Sequence, residues 1–203
     1  MKENRTVKGF RKELGLEFGK DEAESIMSSF YTRYQELLGE NPGETPELQE
    51  HSVDRIYPTI ALCDALQESG MTREESVSWL HDFWERSAEK EAQSMRMMMK
   101  IPLVYRLVPG MFLSVQERDF GDKAGFVSKV ISNERSHTVF HMLKCPYNDI
   151  FRRYGYPELV DCFCHQDDVK NERMHPRLEW KRENTLGSGG DHCDFSMEIV
   201  DKP

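Results

Sequence analysis

The sequence predicts an α+β fold, with a helical first half and an antiparallel β-sheet carrying helices on one face in the second. Three observations carry this prediction. Apolar residues recur at helical spacing through about residue 100. After Pro102 the chain becomes rich in β-branched and aromatic residues. Turn-forming clusters then separate short runs at regular intervals. On this reading residues 1–100 are a helical segment packed on the rest. Residues 101–203 are an α+β domain that carries the site, and the two make one compact unit.

Each element has its own signal. In KDEAESIMSSFYTRYQELLG, Ile26, Phe30, Tyr34 and Leu37 share a helical face that ends at Gly39. NPGETP is a loop. Thr45 is an N-cap for the next helix, with Pro46 at its first position. Val53, Ile56, Ile60 and Cys63 form the stripe of that helix, and Pro58 must kink or divide it. Thr72-x-x-Glu75 is a capping box that opens a third long helix with Val77, Leu80, Trp84 and Ala88 on one side. The methionines near its end are read as flexible packing rather than metal ligands.

Past Pro102, PLVYRLVPGMFLSVQ and GFVSKVISNERSHTVFHMLKC share a strand-like composition. SNERS marks a turn, so residues 126–131 and 138–145 form a hairpin. PYNDIFRRYG is a short helix stopped by Gly155. A second helix starts near Pro157, and two strands follow, joined by GSGGD. The pattern of this half is β-β-α-β-β.

Composition narrows the function. The chain has 203 residues, 31% charged, with a net charge of −9. An acidic chain without a basic aromatic stripe is not built to hold nucleic acid. The longest apolar run is too short to span a membrane, and the N-terminus lacks the apolar stretch of a secretory signal. A cytoplasmic protein acting on a small molecule is expected. The oligomeric state is not encoded legibly. Five cysteines, an odd number with no C-x-x-C pair, argue against a disulfide framework or a zinc ribbon.

The chemistry concentrates in the second half. In DCFCHQDD, helical spacing puts Cys164 beside Asp167 and Asp168, and His165 beside Asp161 and Asp168. Cys162 lies round the helix and is expected in the core. On the last strand Cys193 shares a face with Phe195, Met197 and Ile199. On the strand before it, Arg182 points the same way as Leu178 and Trp180. A buried arginine requires an internal carboxylate or an anionic ligand. Cys145 ends a strand at a helix start, a setting that favours thiolate.

These pieces, in this order, resemble the L-2-amino-thiazoline-4-carboxylic acid hydrolase family. They are Cys145-Pro146, Gly155 through Leu159, Cys164-x-x-Asp167, Thr185-Leu186 and Cys193-Asp194-Phe195. By motif the resemblance covers about residues 101–200. It implies a hydrolase that opens a small cyclic amidine bearing a carboxylate to an N-carbamoyl-cysteine product, read here as cleavage of a C–N bond. The positions it matches are Cys145, Cys164, Asp167 and Cys193, taken as catalytic, with Arg182, His165 and Asp168 as substrate-binding.

Two mechanisms stand side by side. In one a thiolate attacks the amidine carbon, Asp167 handles protons and no cofactor is needed. In the other, two or three of Cys145, Cys164 and Cys193, together with Asp167 or a histidine, hold Zn²⁺, which activates water. The glycine turn, cysteine and strand also look like ligand-binding sensor domains of the vinyl-reductase type. A non-catalytic small-molecule-binding domain with a cysteine-lined pocket is therefore the alternative function.

Overall fold

The computed structural model describes residues 3–201. Five α-helices fill the first half: α1 (Arg5–Glu17), α2 (Lys20–Glu40), α3 (Pro46–His51), α4 (Tyr57–Glu68) and α5 (Arg73–Met98). The Ile26, Phe30, Tyr34 and Leu37 stripe of α2 is buried. Thr45 caps α3, its hydroxyl accepting from the Leu48 N–H at 3.2 Å. The Thr72/Glu75 capping box at the start of α5 is closed in both directions.

Pro58 acts as predicted, with an added feature. It sits in the first turn of α4, and the chain before it winds as a π-turn over Ser52–Ile56. A proline has no N–H to donate and its ring crowds the preceding turn, so the regular ladder cannot run through it. The wider turn joins α3 to α4 without a break in the chain's course.

Between α5 and the sheet the composition-based reading fails. Val104–Leu107 is a short 3₁₀ turn, and Val108–Asp119 is a helix, α6, not a strand. Pro109 stands in its first turn, where a missing N–H costs nothing. Val108, Leu113 and Gln116 are buried on one side. Tertiary packing of that face overrides the β-leaning composition.

The sheet is antiparallel with strand order β1-β2-β4-β3. β1 (Val127–Asn133) and β2 (His137–Lys144) form the predicted hairpin. β3 (Leu178–Lys181) pairs with β4 (Cys193–Ile199), placing Trp180 opposite Met197 and Leu178 opposite Ile199. Helices α7 (Pro146–Arg153) and α8 (Leu159–Asn171) lie between the hairpin and the second pair. Gly155 ends the α7 segment at φ 78°, as its composition predicted. One apolar core runs through both halves, from Val7 and Phe10 to Phe163 and Cys193. No described helix is long and apolar enough to cross a membrane.

Candidate active site

The sheet's inner face and α8 enclose a cavity of about 90 Å³. Strand alternation supplies two of its walls. On β4, Cys193 and Phe195 face inward together, two residues apart. On β2, Met142 does the same, and the chain then delivers Cys145 at the N-cap of α7. Helical spacing supplies the third wall, because Cys164 and Asp167 lie three residues apart on α8 and Lys170 three further on. Arg182, one residue past β3, completes the set. Thus Cys145, Cys164, Cys193, Asp167 and Arg182 meet around one space. A second cavity of the same size shares Phe120, Met142, Asp167 and Phe195 with the first and reaches Phe112 and Trp180.

Arg182 is the most constrained polar group here. Its side chain is only 5% exposed. Nη2 donates to the Cys164 carbonyl at 2.9 Å and to Asp168 Oδ2 at 2.5 Å. Nη1 is 3.5 Å from Asp167 Oδ2, too far for a good hydrogen bond, and has no hydrogen-bond partner although it is buried. A buried guanidinium N–H without an acceptor is costly.

Asp167 sits deep in the protein, yet 37% of its side chain is reachable by water because its surface is cavity wall. Burial pushes its carboxyl above the usual aspartate range, opposed by Lys170 and Arg182. Lys170 Nζ stands 4.0 Å from Asp167 Oδ1.

All three cavity thiols are raised by burial. Cys145 is pushed up to about 12, opposed by the backbone N–H groups of Asn148 and Tyr147 at the start of α7. These amides face the sulfur without closing a capping hydrogen bond. The helix start therefore softens the burial effect but does not overcome it, so the expected resting thiolate is not favoured. Cys164 is raised, with Arg182 opposing. Cys193 is raised too, and its Sγ accepts the Leu186 N–H at 3.3 Å. Gly187 lies so close that an added Cβ would stand 3.1 Å from Cys164 Sγ and 2.9 Å from Val160 Cγ1.

Two predicted residues lie elsewhere. His165 faces α5, stacking on His81 with ring centroids 5.1 Å apart and lying 3.7 Å from Glu85. Asp168 is behind the cavity wall, accepting from Trp180 Nε1 at 2.9 Å as well as from Arg182. It holds Arg182 and is not among the residues that line the cavity. Cys162 is buried in the core, as spacing indicated.

The zinc arrangement does not fit the residues present. Two sulfurs on one zinc, at about 2.3 Å each, lie within roughly 4.6 Å of each other. Among the described residues, the one metal-competent trio of His, Cys, Asp or Glu with all ligand atoms within 4.8 Å is His81, Asp82 and Glu85, on the surface of α5. No three ligands drawn from Cys145, Cys164, Cys193, Asp167 and a histidine converge that closely among the described residues.

Arg55 and Tyr147 also line the cavity and were absent from the sequence-based set. Arg55 comes from the π-turn, and no local motif marks it. Tyr147 lies two residues after Cys145, where its aromatic character reads as ordinary core. Arg55 and Gln166 also border a larger surface cleft between α1 and α5, of about 360 Å³.

Comparison with known proteins adds a family. The family model described as L-2-amino-thiazoline-4-carboxylic acid hydrolase matches residues 49–197, which include every residue of the cavity wall. No curated protein matches the chain. Two solved structures align with it: an Fe(II) unliganded H-NOX protein from K. algicida, 9% identical with a TM-score of 0.38, and a point mutant of the same protein, 11% identical with a TM-score of 0.37. Each alignment covers 97% of this chain and 96% of the other.

Proposed function

The chain belongs to the L-2-amino-thiazoline-4-carboxylic acid hydrolase family, and from that premise we propose that it hydrolyses a small cyclic amidine bearing a carboxylate. The observation that carries the proposal is the buried, unpartnered Nη1 of Arg182 beside Asp167 and three thiols. A ligand carboxylate supplies the missing acceptor, and the planar guanidinium suits it.

Opposite charges order the substrate. Its carboxylate meets Arg182 and Lys170. The amidine N–H groups donate to the Asp167 carboxylate, which when ionised only accepts. This holds the amidine carbon among the sulfurs. Cys145, a cavity thiol whose burial the backbone N–H groups at the start of α7 offset in part, is the proposed nucleophile. The Cys145 S–H bond breaks as the sulfur adds to the amidine carbon, and the enzyme holds that proton until the leaving atom takes it. The ring bond to the leaving atom then breaks, and that atom takes a proton. Water displaces the enzyme sulfur, returning the thiol and leaving a carbamoyl product.

Atom balance sharpens the expected bond. An N-carbamoyl-cysteine product keeps both nitrogens on the former amidine carbon, so the ring bond that breaks is C–S. Breaking the ring C–N bond would give an S-carbamoyl thiol instead. The free thiol released in the first case distinguishes the two.

The test is hydrolysis of 2-amino-thiazoline-4-carboxylate, followed by mass spectrometry of the product, against the analogue lacking the carboxylate. The proposal expects turnover of the first and a KM for the analogue higher by about 10- to 100-fold, the cost of about one charged hydrogen bond. Tight binding of the carboxylate compound without turnover would return the chain to the non-catalytic alternative.

A further inference from the structure

Beside Cys145 the cavity wall includes Tyr147, and His51 from the helical half stands behind it, outside the lining. His51, the last residue of α3, is 7% exposed. Its Nε2 lies 2.7 Å from the Asp119 carbonyl oxygen, and its Nδ1 lies 3.0 Å from the Tyr147 hydroxyl. The carbonyl can only accept, so in the neutral ring Nε2 carries the hydrogen and Nδ1 holds a lone pair. The Tyr147 hydroxyl must then donate to Nδ1. Its oxygen keeps its lone pairs for the cavity and for Arg55, whose guanidinium faces it from the π-turn. Such turns recur at functional sites. The ring of His51 is also flanked by Phe120 and Phe126, which exclude water from the pair.

We propose that Tyr147 and His51 form a proton relay serving the cavity, with Tyr147 exchanging protons with the reacting groups and His51 storing the proton. The relay's substrate rests on the hydrolytic reading above; its direction rests on the hydrogen bonds alone. In the forward step the S–H bond of Cys145 breaks and its proton passes to Tyr147 Oη, while Tyr147's own proton passes to His51 Nδ1. The result is a Cys145 thiolate and a His51 imidazolium, whose Nε2–H remains on Asp119. When the ring opens, the reverse transfer delivers the proton to the departing atom. No proton is gained or lost.

The charged and titratable groups around His51 suit a store that fills only transiently. Burial and Arg55 disfavour the imidazolium, whereas the Asp119 carbonyl and the charges of Glu50 and Asp119 favour it. Tyr147 is the remaining titratable partner. Asp167 lies on another wall and is free to hold the amidine.

The experiment uses the full chain with His51→Gln and Tyr147→Phe. Glutamine keeps a donor and an acceptor without titrating, and phenylalanine keeps the ring. The first readout is ¹⁵N NMR of His51. The relay predicts the Nε2–H tautomer and a midpoint below the ordinary value of about 6.5. Tyr147→Phe removes a donor to the neutral Nδ1, so the midpoint should rise. The second readout is iodoacetamide labelling at neutral pH, mapped by peptide mass. Both variants should slow labelling of Cys145 by about tenfold or more, and that of Cys164 and Cys193 by less than about twofold. The third is turnover: kcat should fall about 100-fold or more with KM little changed, and the acid limb of the kcat profile should disappear in His51→Gln.

A His51 midpoint unmoved by Tyr147→Phe, or Cys145 labelling unchanged in both variants, would overturn the relay. The first two readouts need no turnover. If the cyclic amidine is not hydrolysed but both hold, the relay stands and the hydrolytic reading fails. If turnover is normal and both fail, the hydrolytic reading stands and the relay falls.

Discussion

At the scale of single residues, the site trades stability for chemistry. Asp167 is held above the usual carboxylate range by burial, so its ionised form destabilises the folded chain. The penalty is absent below the unfolded pKa of about 3.9 and grows as pH rises through the raised folded value. Asp167→Asn should therefore abolish turnover while leaving the melting temperature at neutral pH equal or higher. That advantage should vanish when both proteins are melted near pH 3.5. Arg182→Gln should raise KM for a carboxylate-bearing substrate about 10- to 100-fold in steady-state assays. Of the five residues of the expected site that meet, four were legible because each sits on a strict local period, and Cys145 because it ends a strand at a helix start. Alternation placed Cys193 and Arg182, and the three-residue helical step joined Cys164 to Asp167. His165 and Asp168 were misplaced because spacing shows which residues are neighbours on a helix, not which face the tertiary fold covers. The face carrying His165 packs on His81 of α5, a contact far away in sequence.

At the scale of elements, loop and cap geometry hold the walls in register. The GSGGD turn brings Gly187 against α8, and a methyl group there would press on Cys164 and Val160. Gly187→Ala should lower stability by about 1–3 kcal/mol and reduce activity, read by thermal melting and turnover together. Thr72→Ala opens the capping box of α5. It should cost about 1 kcal/mol by chemical denaturation and leave KM unchanged, because the cap lies outside the cavity. The caps, the Pro58 interruption and the hairpin were readable because their signals are local. α6 was not, since Val104, Val108 and Val115 mimic a strand and only the packing of Leu113 and Gln116 reveals the helix. Arg55 escaped notice for a related reason. Its place depends on a π-turn, which no residue pattern in Ser52–Ile56 announces.

At the scale of the whole molecule, one core joins the helical half to the sheet, and His51 carries that junction to the cavity. Its pKa is lowered, chiefly by burial, so the folded state binds a proton less readily than the unfolded chain. The associated stability is full above the unfolded value of about 6.5 and declines as pH falls below it. The urea midpoint should therefore drop between pH 7 and pH 5 in the native protein, and drop less in His51→Gln. The proposed chemistry stands or falls on Cys145, Cys164, Cys193, Asp167 and Arg182 forming one carboxylate-reading hydrolytic cavity. The most direct measurement is steady-state hydrolysis of 2-amino-thiazoline-4-carboxylate by the native protein and by Cys145→Ala, with folding checked by circular dichroism. Turnover by the native protein is expected, with a loss of about 100-fold or more in the folded variant. Undiminished turnover by Cys145→Ala would contradict the assignment of Cys145 as nucleophile and, with it, the hydrolytic cavity.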